Sequence, residues 1–149
     1  MKAHVALLLV GFLFLVPIDP PVLAQTHIAP MMRNGIEYVS GGIGEDEVQA
    51  MKALAPRYNL RITFALTGGE YLSDVTVTLN SERGVELLKA RTHGPFLFFR
   101  IPPGRYRIAA QADHVIEHRW VRVPAKGGVE TRFYWPEPNR HGVISRLKP

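Results

Sequence analysis

The 149-residue chain contains no cysteine. Disulfide staples, thiolate metal centres and a cysteine nucleophile are therefore excluded, and a folded state has to rest on its core. The sequence also has no run of five or six like charges and no internal repeat. Nor does it have an apolar stretch of the roughly 20 residues that a membrane-spanning helix needs. Its longest apolar or glycine run, Val5 to Val16, has 12 residues.

That short run has the surroundings of a secretory signal peptide. Lys2 and His4 precede it, Pro17 breaks it, and Val22-Leu23-Ala24 offers small or apolar residues ahead of Gln25. Residues 1–24 are expected to be removed on export. The expected destination is the periplasm, with secretion or outer-membrane association as alternatives, and no transmembrane segment after cleavage. Residues 25–149 have the length of one domain, enough to bury about two-thirds of the unfolded surface without crosslinks. The chain carries 18 Lys and Arg against 13 Asp and Glu, a net charge of +5. Removal of Lys2 together with Asp19 leaves that balance unchanged. For an exported basic protein the expected partners are an anionic envelope polymer or another envelope protein, and not nucleic acid.

The densest structural signal is Phe96-Leu97-Phe98-Phe99-Arg100-Ile101-Pro102-Pro103-Gly104-Arg105-Tyr106-Arg107-Ile108. Proline presets the turn conformation, glycine tolerates positive φ after it, and neither proline can donate to a sheet ladder. The stretch predicts a β-hairpin of Phe96–Ile101 and Arg105–Asp113. In its second arm Tyr106, Ile108, Ala110 and Ala112 share one face, and Arg105, Arg107, Gln111 and Asp113 the other, a period of two with one solvated side.

Elsewhere, residues 25–35 read as a loose leader and Ile36 to Val39 as a short strand. Glu45-Asp46-Glu47 opens a helix to about Ala55, its acids at the positive end of the helix dipole and Val48, Met51 and Leu54 or Ala55 on one apolar stripe. Alternating segments at 60–66, 75–79, 85–92, 119–123 and 129–135, with turn residues between them, bring the count to seven strands. The expected fold is all-β, an antiparallel seven-stranded prealbumin- or Ig-like sandwich preceded by one short α-helix. The divisions are a signal peptide at 1–24, a leader and helix at 25–57, the sandwich at 58–135 and a basic, mobile tail at 136–149.

Residues 58–135 resemble the carboxypeptidase regulatory-like domains, which are transthyretin-related β-sandwich modules. The likeness rests on Val75-Thr76-Val77-Thr78-Leu79 with its Gly84 turn, on Ile101-Pro102-Pro103-Gly104-Arg105-Tyr106 after an aromatic run, and on the closing Val121–Val123 and Val129–Trp135 strands. Tyr38 to Glu47 and Tyr58-Asn59-Leu60-Arg61 are similar to small exported proteobacterial proteins carrying such a domain, whose function is mostly unassigned. The resemblance implies a fold and is nearly silent on activity.

Motifs that carry chemistry fare poorly in their contexts. His114-Val115-Ile116-Glu117-His118 spells the H-x-x-E-H of inverted zinc peptidases, but it lies between β-strands. In an extended chain the two histidines stand roughly 13 Å apart, too far to share a zinc ion. Gly41-Gly42-Ile43-Gly44 precedes a helix, yet no Lys-Ser/Thr pair follows, and three acids would repel a phosphate. Transthyretin-related hydrolases of purine breakdown end in tyrosine-arginine-glycine-serine, whereas this chain ends Ser145-Arg146-Leu147-Lys148-Pro149. No catalytic, cofactor-binding or metal-binding residue is assigned. The expectation is a non-catalytic binding or scaffold module of the bacterial cell envelope, or alternatively one for peptidoglycan or lipopolysaccharide glycans. An edge strand or a basic face would do the binding. The candidate surface is Arg105, Arg107, Trp120, Arg122, Arg132 and Tyr134, with Phe133 and Trp135 assigned to the core.

Overall fold

A computed structural model of the protein describes residues 27–139 and 141–145. The segment read as a signal peptide lies outside them. The elements run β1 (Met31–Arg33), β2 (Ile36–Gly41), α1 (Gly44–Leu54), a 3-10 turn (Ala55–Arg57), β3 (Leu60–Leu66), β4 (Thr76–Ser81), β5 (Glu86–Arg91), β6 (Phe96–Arg100), β7 (Gly104–Ala112), β8 (Val115–Val123) and β9 (Val129–Trp135). Two sheets form. Sheet A has the order β1-β2-β6-β3-β9 and sheet B the order β5-β4-β7-β8. Their inner faces close on one core that includes Ile62, Phe64, Leu97, Phe99 and Trp135 from sheet A with Val77, Leu79 and Ile108 from sheet B.

The run Phe96-Leu97-Phe98-Phe99 is unbroken because β6 has no solvated side. Leu97 and Phe99 point into the space between the sheets. Phe96 and Phe98 point outward and are covered by α1, in a second cluster with Val39, Met51 and Tyr58 that Val48, Leu54 and Ala55 complete. Alternation of apolar and polar residues is lost when both faces of a strand are dry. The helix is placed by its own start. Glu47 turns back so that its Oε2 accepts the backbone N–H groups of Ile43 (3.0 Å), the residue at the helix cap, and of Gly42 (2.9 Å) just before it. The strand pair beneath is tight. A Cβ on Gly94 would collide with the backbone carbonyl of Gly41, and one on Gly42, whose φ is +105°, with the Phe96 ring.

The expected hairpin of Phe96–Ile101 with Arg105–Asp113 does not form. β6 pairs with β2 and β3 in sheet A, whereas β7 pairs with β4 and β8 in sheet B. The two prolines, which offer no N–H for a ladder, carry the chain from one sheet to the other instead of folding it back. Two braces hold this corner. Asn59 grips Ile101 by donating to its carbonyl (2.6 Å) and accepting its N–H (3.0 Å), and the Tyr106 hydroxyl donates to the Pro102 carbonyl at 2.8 Å. The facing of Tyr106, Ile108, Ala110 and Ala112 toward the core, with Arg105, Arg107 and Gln111 outward, is as the period of two implies.

Three further expectations change. The ladder is antiparallel except for β3 and β9, which run parallel, because β9 returns to sheet A only after the chain has built sheet B. Part of the supposed loose leader is β1, joined to β2 by Asn34-Gly35 with φ of 50° and 75°. That pair is the residue type a two-residue hairpin turn demands. The mostly β fold thus has nine strands among the described residues, β3 to β9 within 58–135 and β1 and β2 before it. The described part of the tail packs on the sandwich. Ile144 is buried, its N–H donates to Asp113 Oδ2 at 2.9 Å, and Glu137 accepts the Gly68 N–H at 2.7 Å.

Tyr58 sits under α1 with its hydroxyl donating to Glu37 Oε1 at 3.0 Å. Burial, then the hydrogen bond and negative charge of Glu37, push its pKa above the ordinary tyrosine range, against the opposing pull of Arg57 and Arg100. A raised tyrosine pKa in the folded state stabilises the protein below the unfolded value of about 10, and that contribution is lost as pH climbs from there through the folded value. Tyr58→Phe is expected to flatten the alkaline loss of stability seen in denaturation midpoints taken from about pH 9 to about pH 12. At neutral pH it should cost about 1 kcal/mol for the missing hydrogen bond. Because both faces of β6 are buried, Leu97→Ala and Phe98→Ala are both expected to destabilise, by about 2–5 and about 3–5 kcal/mol in urea titrations. A one-sided strand would show the loss at only one of them.

Candidate functional site

The outer face of sheet B is open to solvent and is where the exposed cations gather. Register fixes the arrangement: Arg105 lies opposite Arg122, Arg107 opposite Trp120, Ala109 opposite His118 and Gln111 opposite Ile116. Successive residues alternate across a sheet, so Ile116, His118, Trp120 and Arg122 of β8 all stand on this side with Arg105 and Arg107 of β7. Lys89 and Arg91 of β5 continue the face beyond β4, whose outward residues there are Thr76 and Thr78. Trp120 and Ile116 are each 47% exposed, large apolar groups left in water.

The face has an internal order. The Arg105 guanidinium lies 4.6 Å from the centre of the Trp120 ring, and its NH1 is 3.5 Å from Glu82 Oε1. Both groups draw the cation into a fixed position. Arg107 NH2 is 3.4 Å from His118 Nδ1. A guanidinium can only donate, so that nitrogen is the acceptor. Asp74 pairs with Arg91 at 3.2 Å at the far rim. Arg122 has no ion-pair partner among the described residues, and it sits directly across from another arginine. Like charges in direct cross-strand opposition work against the sheet.

Four of the six residues named from sequence therefore share one surface: Arg105, Arg107, Trp120 and Arg122. The other two do not join them. Arg132 and Tyr134 project from the outer face of sheet A, on the opposite side of the sandwich. Lys89, Arg91, Ile116 and His118 belong to the sheet B face and were missed. The hydrophobic alternation of β8 is interrupted at Glu117 and Arg119, which hides the strand's first half and with it the outward set at 116 and 118.

The same strand decides the histidine motif. Asp113 (φ 47°) and His114 form a tight turn, and Val115 to His118 are the start of β8. Glu117 and His118 face opposite sides of an extended strand, which fits the extended reading of the motif and not a helical one. Among the described residues no group of three His, Asp or Glu side chains is placed to hold a metal ion. The Gly41–Gly44 loop directs the amides of Gly42 and Ile43 at Glu47 of the same chain. Comparison with known proteins is silent: no family model matches the chain, and no curated protein matches it significantly.

Three of the four edge strands, β1, β5 and β8, are guarded. β1 is three residues long, and β5 carries Glu86, Lys89 and Arg91 beside an irregular register at Leu79/Asn80. β8 turns Glu117 and Arg119 toward the side of the sandwich. There Arg119 donates to Thr131 Oγ1 at 3.0 Å and lies 5.0 Å over the Phe133 ring, closing the gap to β9. Short edges, bulges and inward charges all discourage edge-to-edge pairing. Arg119→Val is expected to leave stability within about 1 kcal/mol while producing concentration-dependent association. Light scattering and sedimentation would detect it, and a variant that stayed as monodisperse as the parent would remove the guarding role.

Proposed function

We propose that the protein is an exported, non-catalytic binding module of the bacterial cell envelope that takes an anionic envelope polymer on the outer face of sheet B. A phosphorylated glycan such as lipopolysaccharide is the first choice of ligand. One observation carries the reading: Arg105 and Arg122 oppose each other across β7 and β8, with Arg107 one row away and Trp120 beside them. A sheet selected for stability alone would place an acid opposite an arginine. Two facing arginines find their compensation in an anion laid across them, through charge-assisted and bidentate hydrogen bonds to phosphate or carboxylate. Trp120 and Ile116 supply an apolar surface for the sugar or acyl part of such a polymer.

A protein partner adding a strand to a sheet edge is the weaker reading, because three of the four edge strands, β1, β5 and β8, each carry a device that blunts the edge. Export and a periplasmic location rest on the N-terminal apolar segment. Kinship with the transthyretin-related, carboxypeptidase regulatory-like sandwiches rests on the proline corner and strand spacing, with two packed sheets supporting it. The described residues contain no helix long and apolar enough to cross a membrane.

The purified mature protein is expected to be retained on immobilised lipopolysaccharide at low salt. Retention should vanish as ionic strength rises from about 0.01 M to about 1 M, where the Debye length falls from about 30 Å to about 3 Å. The triple variant Arg105→Gln, Arg107→Gln, Arg122→Gln should bind about tenfold more weakly or worse. Arg57→Gln, a single charge removed on the helix side of the molecule, should bind as the parent does. Undiminished retention of the triple variant, or salt-insensitive retention of the parent, would overturn the assignment.

A further inference from the structure

The outer face of sheet A is only partly covered by α1, and the uncovered part holds a cavity of about 270 Å³ between the helix and strands β6, β3 and β9. We propose that this cavity binds a small organic acid consisting of a flat aromatic ring with a carboxylate two or three bonds away.

The sheet register shows why. Phe96, Thr63 and Arg132 stand in one row across β6, β3 and β9, and Phe98, Arg61 and Glu130 in the next. In the second row the charges are settled: Arg61 Nε meets Glu130 Oε1 at 2.9 Å, while its NH1 donates to the Tyr58 carbonyl at 2.9 Å. In the first row they are not. Arg132 has no ion-pair partner among the described residues, and neither has Lys52, which lines the cavity from the helix. Between Phe96 and Arg132 only the short, half-buried Thr63 lies on the floor, and it brings a hydroxyl able to donate.

The apolar end is built as well. Tyr71 is 59% exposed, yet it is held edge-on against Phe96 with ring centroids 5.4 Å apart, by a loop that bridges back to Ala65. Phe96 in turn lies 6.0 Å from Phe98. An aromatic residue fixed in water beside a cavity offers an edge-to-face partner to a guest ring. Neighbouring strands are about 4.8 Å apart, so the aromatic end on β6 and the guanidinium on β9 are separated by roughly 10 Å. That is the reach of one ring carrying a short acid arm. The volume, just below the usual range for drug-sized ligands, suits a single ring. The site lies on the far side of the sandwich from the arginines of sheet B and does not depend on them.

The test is an NMR titration of the mature protein with 3-phenylpropionate and, separately, its neutral amide. The acid is expected to bind saturably with millimolar affinity or better, shifting the signals of Thr63, Tyr71, Phe96 and Arg132. The amide should bind at least about tenfold more weakly, the loss of one charge-assisted contact. Arg132→Gln should erase the preference of acid over amide, and Tyr71→Ala should weaken both ligands alike. Neither residue is in the core, so both variants should fold, and each is checked by its unliganded spectrum. Equal affinity for acid and amide would overturn the proposal. So would shifts confined to the sheet B arginines, or no saturable shift at millimolar acid.

Discussion

The structure depends on the strand Phe96–Arg100 being dry on both sides. A strand in the middle of a sheet normally serves one core. This one serves two, giving Leu97 and Phe99 to the space between the sheets and Phe96 and Phe98 to the helix. Each face demands its own cover, and the rest of the chain supplies both. Sheet B must close over one side, and α1 must lie on the other, which is why a helix appears at all in a fold otherwise made of strands. Glu47 holding the Gly42 and Ile43 amides, and the close passage of Gly94 by Gly41, are the local devices that bring the helix and β2 against it.

The sequence carries the positions of most strands, since Leu60–Leu66, Arg105–Ala112 and Val129–Trp135 each alternate cleanly, and the acids of the first turn announce the helix. It carries less about which strands pair. Pro102-Pro103-Gly104 is as good a signal for a chain leaving its sheet as for one folding back within it. What decides is the demand of Tyr106 and Ile108 for a core on the opposite sheet, a long-range requirement that no local pattern contains. At the Asn34-Gly35 hairpin the second strand was legible from Ile36 to Val39, but its partner Met31–Arg33 is only three residues long and too short to show a period. In β8 the inward Glu117 and Arg119 break the period that would have revealed its first half, Val115–His118.

For the binding faces the limit is of the same kind. An exposed arginine looks alike whichever sheet it belongs to. Arg105, Arg107, Trp120 and Arg122 fall together because β7 and β8 are a hairpin, a contact local in the chain. Arg132 and Tyr134 part from them because β9 crosses to the other sheet and runs parallel to β3, a pairing between residues far apart in sequence. Charge composition said that the protein has cations to spare; topology alone says that they are divided between two sides of a sandwich.

The division has a physical consequence. Sheet A puts its outer face to structural use, and the cations there are tied to carbonyls and to Glu130 or set round a small cavity. Among the described residues no helix lies on the outer face of sheet B, so its arginines stand in water in a broad array, in part against one another. A flat, extended cationic surface suits an extended anion, whose many weak contacts add along its length; a concave corner with two cations suits a compact one, whose few contacts must be well placed. The demand of β6 for cover on its outer face thus sets the character of both surfaces. By recruiting the helix to sheet A it makes a corner there, and by leaving sheet B uncovered it leaves the other side flat.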